Sequence, residues 1–84
     1  MPPPIYLTVR YDEALQEITG VAEDPMIVSI GVQFPYILMN IFLEHPEIDK
    51  TYKPGQLGFL VNGVPPTTNY VMNDGDVICL SAHK

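Results

Sequence analysis

Apolar and polar residues alternate along the first part of the chain, over the stretch IYLTVRY. The apolar members of the alternation are Ile5, Leu7, Val9 and Tyr11. A period of two is typical of a β-strand that packs one face on a core. The runs PMIVSIGV, QLGFLVNG and VICLS predict three further strands, because they are rich in strand-forming residues or lie between turn signals. The stretch DEALQEITG, after the first strand, predicts a turn of helix or a loop, since its helical spacing is short and stops at Gly20.

The pattern changes to a helical period between Gln33 and His45, which predicts one main helix over residues 34–45. Its apolar stripe consists of Phe34, Ile37, Leu38, Ile41 and Phe42. Pro35 suits the first turn of a helix, where its missing N–H leaves no hydrogen bond unmade. Pro46 predicts the end of the helix, because it disfavours helical geometry at the residue before it.

The same helix carries a second apolar line, formed by Tyr36, Met39 and Leu43. A helix that packs one face on a sheet has a wider polar face than this pattern leaves. One interpretation is that the loops around residues 51–54 cover the second line. The other is that it binds a second copy of the chain or a permanent protein partner. Glu44 and Asp49 nearby would then favour a partner with a basic rim.

The order strand, strand, helix, strand, short piece, strand predicts an α+β fold of two layers. One mixed sheet of four to five strands would pack on the main helix, and the ubiquitin-like β-grasp is the commonest small fold with this order. The stretch NYVM predicts the short edge piece, and the segment EIDKTYKPG predicts a polar connection with a Pro-Gly turn. The length of 84 residues predicts a single domain over residues 1–84.

Charge and composition narrow the classes of partner. The formal net charge is −6, and the four basic residues form no cluster, so we expect no nucleic-acid binding. The longest apolar stretch, FPYILMNIFL, is half the roughly 20 residues that a bilayer requires, so we expect no membrane span. The N-terminus does not resemble a signal peptide, and a single cysteine forms no internal disulfide. These features predict a cytoplasmic protein.

Few residues offer reactive chemistry. Cys79 is the one thiol and could carry sulfur as a persulfide, although a buried hydrophobic role is commoner for free cysteine. His45 and His83 have no companions at zinc-ligand spacing, and we expect the His45 ring to interact with the last carbonyls of its helix. Asp74 and Asp76 flank a glycine and predict a tight turn. We therefore expect no enzyme activity, no bound cofactor and no metal site.

Three stretches carry a family resemblance: VRYDEALQEITG, FLEHPEI, and LGFLVNG followed later by MNDGDVICL. In order and nearly end to end, they resemble the MoaD/ThiS family of ubiquitin-like sulfur carriers. The matching positions are residues 15–20 for a Leu-x-x-x-x-Gly stretch, 45–46 for a His-Pro helix end, 61–62 for a Val-Asn turn and 74–76 for the closing Asp-Gly-Asp.

The resemblance implies a carrier whose C-terminal Gly-Gly carboxylate is adenylated by an E1-like enzyme, converted to a thiocarboxylate and presented to a synthase subunit. The corresponding tail here is Ser81, Ala82, His83 and Lys84, without Gly-Gly, and Ser81 takes the position that the family often uses for apolar docking. Glycines matter there because a tail without side chains can enter a narrow channel.

Three hypotheses remain open from the sequence. The first is a MoaD/ThiS-like protein without a Gly-Gly tail that serves as a small protein-binding subunit in sulfur transfer or molybdopterin metabolism. The second is a true sulfur carrier for molybdopterin or thiamine synthesis. The third is a ubiquitin-like interaction module unrelated to sulfur.

Overall fold

The computed structural model describes residues 3–82, apart from the side chain of Pro54. Within this range the chain forms four strands and three helices, and a short 3-10 turn spans Pro54–Gln56. The strands are β1 (Pro4–Tyr11), β2 (Glu23–Ser29), β3 (Leu57–Val61) and β4 (Val77–Ala82), and the helices are α1 (Glu13–Thr19), α2 (Phe34–Glu44) and α3 (Pro46–Thr51).

The four strands form one mixed sheet in the order β2-β1-β4-β3. β1 runs antiparallel to β2 and parallel to β4, and β3 runs antiparallel to β4. This confirms the α+β class and the mixed sheet. The stretch NYVM contributes an isolated bridge between Gln33 and Val71 in place of a short edge strand.

The core lies between one face of the sheet and the helices. The alternation predicted for β1 is confirmed, because Ile5, Leu7, Val9 and Tyr11 are all buried. The main stripe of α2 is confirmed as well. Its members Phe34, Ile37 and Ile41 are buried, and Leu38 and Phe42 pack against the core while partly buried.

Two helices go beyond the sequence prediction. The stretch after β1 is a regular helix, α1, which begins after Asp12 as N-cap and ends at Gly20, whose φ of 78° is in the left-handed region. The polar segment after α2 also contains a helix, α3, whose one buried residue is Ile48. Pro46 therefore does two things, since α2 ends at Glu44 and the proline starts α3.

The Asn62-Gly63 turn is confirmed. Both residues have positive φ, 52° and 83°, as a type I′ turn requires, and Val61 and Val64 exchange backbone hydrogen bonds across it. In the part of the chain that the structure describes, no helix has both the length and the apolar character needed to cross a bilayer.

Candidate functional site

The last described strand, β4, lies inside the sheet between β1 and β3 and brings the C-terminal segment to a defined position. Its end lies beside the N-terminus of α1, where the Ala82 N–H donates to Oδ2 of Asp12 over 2.8 Å. The other carboxylate oxygen of Asp12 caps α1 by accepting from the Leu15 N–H at 2.9 Å. Asp12 therefore anchors two elements, the end of β4 and the start of α1. Ser81 and Ala82 are half-buried, whereas His83 and Lys84 lie outside the described residues.

A shallow cleft of about 280 Å³ lies on the open face of the sheet near the end of β4. Its walls include Arg10, Leu60, Cys79 and Ser81. Cys79 is half-buried and lies opposite Arg10 in the parallel register and opposite Leu60 in the antiparallel one. The sequence gives Cys79 no basic neighbour except His83, yet the fold places Arg10 on the adjacent strand. Arg10 also forms an exposed ion pair with Glu23, with 3.8 Å between nitrogen and oxygen.

The second apolar line of α2, here called the α2 stripe, consists of Tyr36, Met39 and Leu43. Their exposed fractions are 47%, 51% and 72%, respectively. The segment after α3 therefore does not cover the stripe, and that interpretation of the pattern is wrong. α2 therefore has one apolar line on the core and a second that is exposed.

A groove of about 550 Å³ runs between α2 and the edge strand β2. The helix side of the groove is formed by Tyr36, Asn40 and Glu44, and the strand side includes Met26 and Val28. Tyr36 belongs to both the stripe and the groove, so the two are continuous. The outer edge of β2 bears no further strand within residues 3–82, and Pro25 in this strand suits an edge position.

The C-terminal end of α2 is tied to β2 by a polar network. His45 Nε2 lies 2.8 Å from Oδ2 of Asp24, and the Tyr11 hydroxyl donates to the same oxygen over 3.0 Å. Burial, the hydrogen bond to Asp24 and the nearby charges of Asp24 and Glu44 raise the pKa of Tyr11 well above its ordinary range. The Tyr11 and His45 rings meet edge to face, with centroids 5.7 Å apart.

This network corrects two expectations. The His45 ring binds Asp24 rather than the helix carbonyls, and the backbone N–H of His45 instead donates to the Ile41 carbonyl. The sequence also gave His45 no companions at zinc-ligand spacing, whereas the fold brings Asp24, Glu44 and His45 together, with donor atoms within 4.8 Å of one another. Asp24 and His45 are 21 positions apart, so no local spacing signals the pair.

The Asp-Gly-Asp turn is confirmed, and Gly75 adopts a φ of 84°. Asp76 does more than turn the chain. Its side chain is buried, with 5% exposed, and accepts hydrogen bonds from Asn62 Nδ2 at 2.8 Å and from the Tyr70 hydroxyl and the Asn73 N–H at 2.9 Å. The hydrogen bond to Asp76 raises the pKa of Tyr70. The Asp76 side chain therefore connects the turn after β3 to the start of β4 through buried hydrogen bonds.

The mixed sheet, the helix across it and the interior last strand define a ubiquitin-like β-grasp fold. The fold is similar to that of a putative molybdopterin converting factor subunit 1 from Pyrococcus furiosus, with a TM-score of 0.81, 21% identity, and coverage of 95% of this chain and 99% of that one. Small archaeal modifier protein 1 of Haloferax volcanii also has a TM-score of 0.81, at 15% identity and with the same coverage.

A third similar structure is small archaeal modifier protein 1 of Methanosarcina acetivorans, with a TM-score of 0.77, 15% identity, and coverage of 96% of this chain and 95% of that one. No protein-family model matches the chain, and no curated protein sequence matches it. At these identities the similarity concerns the fold.

Proposed function

We propose that this protein is a small protein-binding subunit of ubiquitin-like fold that works in sulfur transfer or molybdopterin metabolism in the cytoplasm. In this role the protein catalyses no reaction itself. The observation that carries the binding role is the exposure of the α2 stripe, Tyr36, Met39 and Leu43. The association with sulfur or molybdopterin chemistry is supported by the family resemblance of the sequence and by the fold shared with a putative molybdopterin converting factor subunit.

The composition of the stripe suits a protein interface. Tyrosine and methionine are enriched in interface cores, because an aromatic ring and a flexible thioether provide large contact areas. Each of the three side chains is roughly half exposed or more, so a partner that covers them gains apolar burial at about 25 cal/mol per Å². The groove beside Tyr36 adds a recess that could accept a protruding side chain of the partner.

Charge favours a different protein over a second copy of this chain. The formal net charge is −6, and exposed Glu44, Glu47 and Asp49 follow the stripe along the chain. Two copies that met through the stripe would each carry the net charge of −6, at an electrostatic cost. A partner with an apolar patch and a basic rim would instead pair with these acids. We therefore propose a heterologous partner, of the type of an E1-like adenylating enzyme or a synthase subunit.

Met39→Glu tests this surface most directly. It places a charge in the centre of the stripe, where the side chain is half exposed, so the monomer should fold normally. Binding to the adenylating enzyme or synthase subunit of the same organism should weaken about 30-fold or more, as for a hot-spot residue of about 2 kcal/mol. The matched control is Val64→Glu, which adds the same charge at an exposed apolar residue of the turn after β3.

Isothermal titration would give the affinities, and light scattering would give the mass of the free protein. An affinity that Met39→Glu leaves unchanged would rule out the stripe as the docking surface. A dimer of the wild type that dissociates on Met39→Glu would identify a second copy as the occupant and overturn the heterologous assignment.

The second candidate function is a sulfur carrier proper, and the position of β4 favours it. The end of this interior strand is held by Asp12 at Ala82, and the cleft that contains Cys79 also includes Ser81. In the carrier reaction the terminal carboxylate attacks the α-phosphate of ATP, pyrophosphate leaves, and a sulfur nucleophile then displaces AMP to give a thiocarboxylate.

Two measurements separate the candidates. A carrier releases pyrophosphate when mixed with its adenylating enzyme and ATP, and its intact mass from its own cells shows one terminal oxygen replaced by sulfur. A binding subunit holds its partner and shows neither change. A ubiquitin-like module unrelated to sulfur would bind neither the adenylating enzyme nor the synthase subunit.

A further inference from the structure

The end of α2 and the edge strand β2 bring three potential metal ligands together. The residues are Asp24, Glu44 and His45, whose donor atoms lie within 4.8 Å of one another. We propose that they form a binding site for a divalent transition metal ion, of which Zn²⁺ is the representative. This site includes no residue of the α2 stripe or of the C-terminal tail, although Glu44 also lines the groove beside the stripe, and it does not depend on the proposed function.

The donor set has the right chemistry for such an ion. One imidazole nitrogen and two carboxylate oxygens are ligands that Zn²⁺ accepts at about 2.0 to 2.2 Å. Nitrogen in the set favours a transition metal over Mg²⁺ or Ca²⁺, which prefer oxygen ligands throughout. Three protein ligands leave coordination positions for water or for a group from a partner molecule.

The geometry requires only small side-chain movements. Two ligands bound to one tetrahedral zinc ion at such distances lie about 3.4 Å apart. The present separation of His45 Nε2 and Asp24 Oδ2 is 2.8 Å, so these two atoms must move apart by about 0.6 Å. Glu44 is exposed, and its side chain can rotate toward the ion without repacking the core.

The surroundings of the three ligands also fit a metal site. The side chains of His45 and Asp24 are only 19% and 24% exposed, so they lie in a partly enclosed position that limits competition from water. Tyr11 donates a hydrogen bond to Asp24, which orients the carboxylate from outside the ligand set, as supporting residues of metal sites do. β1, β2 and the C-terminal end of α2 each contribute one part, so the fold brings these groups close together before any ion binds.

The test is a titration of the full chain with Zn²⁺, followed by isothermal calorimetry and by the thermal unfolding midpoint. We expect one ion per chain and a higher midpoint, because an ion that binds only the folded state stabilises it. Co²⁺ in place of Zn²⁺ provides a spectroscopic probe, and we expect the visible absorption bands of a site with low coordination number. We expect no thiolate-to-metal charge-transfer band, because Cys79 is not a ligand.

The variants assign the site. Glu44→Gln removes a ligand at an exposed position and should raise the dissociation constant at least about tenfold without loss of folding, and His45→Gln should raise it about a hundredfold. Glu47→Gln and His83→Gln are the controls, with affinities equal to the wild type. Unchanged affinity in Glu44→Gln would overturn the proposal, as would loss of binding in His83→Gln or the absence of any saturable binding to the wild type.

Discussion

Replacement of Asp12 should reduce the stability of the fold and loosen the end of β4, because its side chain contacts both α1 and β4. One of its carboxylate oxygens caps α1 through the Leu15 N–H, and the other accepts from the Ala82 N–H at the end of β4. Loss of an N-cap costs about 1 kcal/mol. Loss of a hydrogen bond to a charged group costs about 1.5 to 3 kcal/mol, and the lower end applies because Asp12 is only half-buried. Asp12→Ala should therefore lower the free energy of unfolding by about 2.5 kcal/mol.

This is a large share of the total, because a chain of this length has a free energy of unfolding of about 4 to 12 kcal/mol. The midpoint of thermal unfolding should fall by about 10 to 20 °C. Urea denaturation is the direct assay, with an unchanged slope as the sign that the unfolded state is the same. Amide exchange at Ala82 should accelerate more than exchange in the middle of β4.

Asp12→Asn is the control that separates the two contacts. Asparagine caps a helix as well as aspartate does, but its amide group cannot accept from Ala82 while its carbonyl caps Leu15. We expect it to cost about 1.5 kcal/mol, the part that belongs to the tail contact. A loss below about 0.5 kcal/mol for Asp12→Ala, or equal losses for the two variants, would refute this reasoning.

Three further predictions concern the turn before β4. Asp76→Ala should lower the free energy of unfolding by about 3 kcal/mol, because three hydrogen bonds end on this buried carboxylate, and urea denaturation measures the loss. Gly75→Ala should cost about 1 to 2 kcal/mol by the same assay from its positive φ alone, since a Cβ there meets nothing within 4 Å. The raised pKa of Tyr70 contributes stability that is complete below the ordinary value of 10.0 and is lost as the pH rises above it. Tyr70→Phe should therefore flatten the decline of stability above that pH, and equal declines in variant and wild type would contradict the assignment.

Local signals in the sequence predicted much of the fold. Residues close together in the chain were enough to predict the alternation of β1, the core-facing apolar residues of α2 and the two glycine turns. The α3 helix was missed because its segment is polar and its one buried residue, Ile48, gives no periodicity. Residue propensity and hydrophobic pattern carry information over only one or two helical turns. The formation of α3 depends instead on the tertiary packing of Ile48.

The candidate sites were predicted only in part. The α2 stripe was visible as a pattern, but whether other segments covered it depended on the fold. The pair Asp24 and His45, the contact of Asp12 with Ala82 and the hydrogen bond of Asp76 with Asn62 join residues 21, 70 and 14 positions apart, respectively. The tertiary fold brings such residues into contact, and their spacing along the chain gives no signal that predicts the contact.

The most direct test of the proposed function is native mass spectrometry of the protein purified from its own cells, for the wild type, Met39→Glu and Val64→Glu. We predict that the wild type and Val64→Glu carry one stoichiometric partner that is an adenylating enzyme or a synthase subunit, and that Met39→Glu is recovered alone. Wild-type protein recovered as a free monomer, or a complex that survives Met39→Glu, would contradict the account.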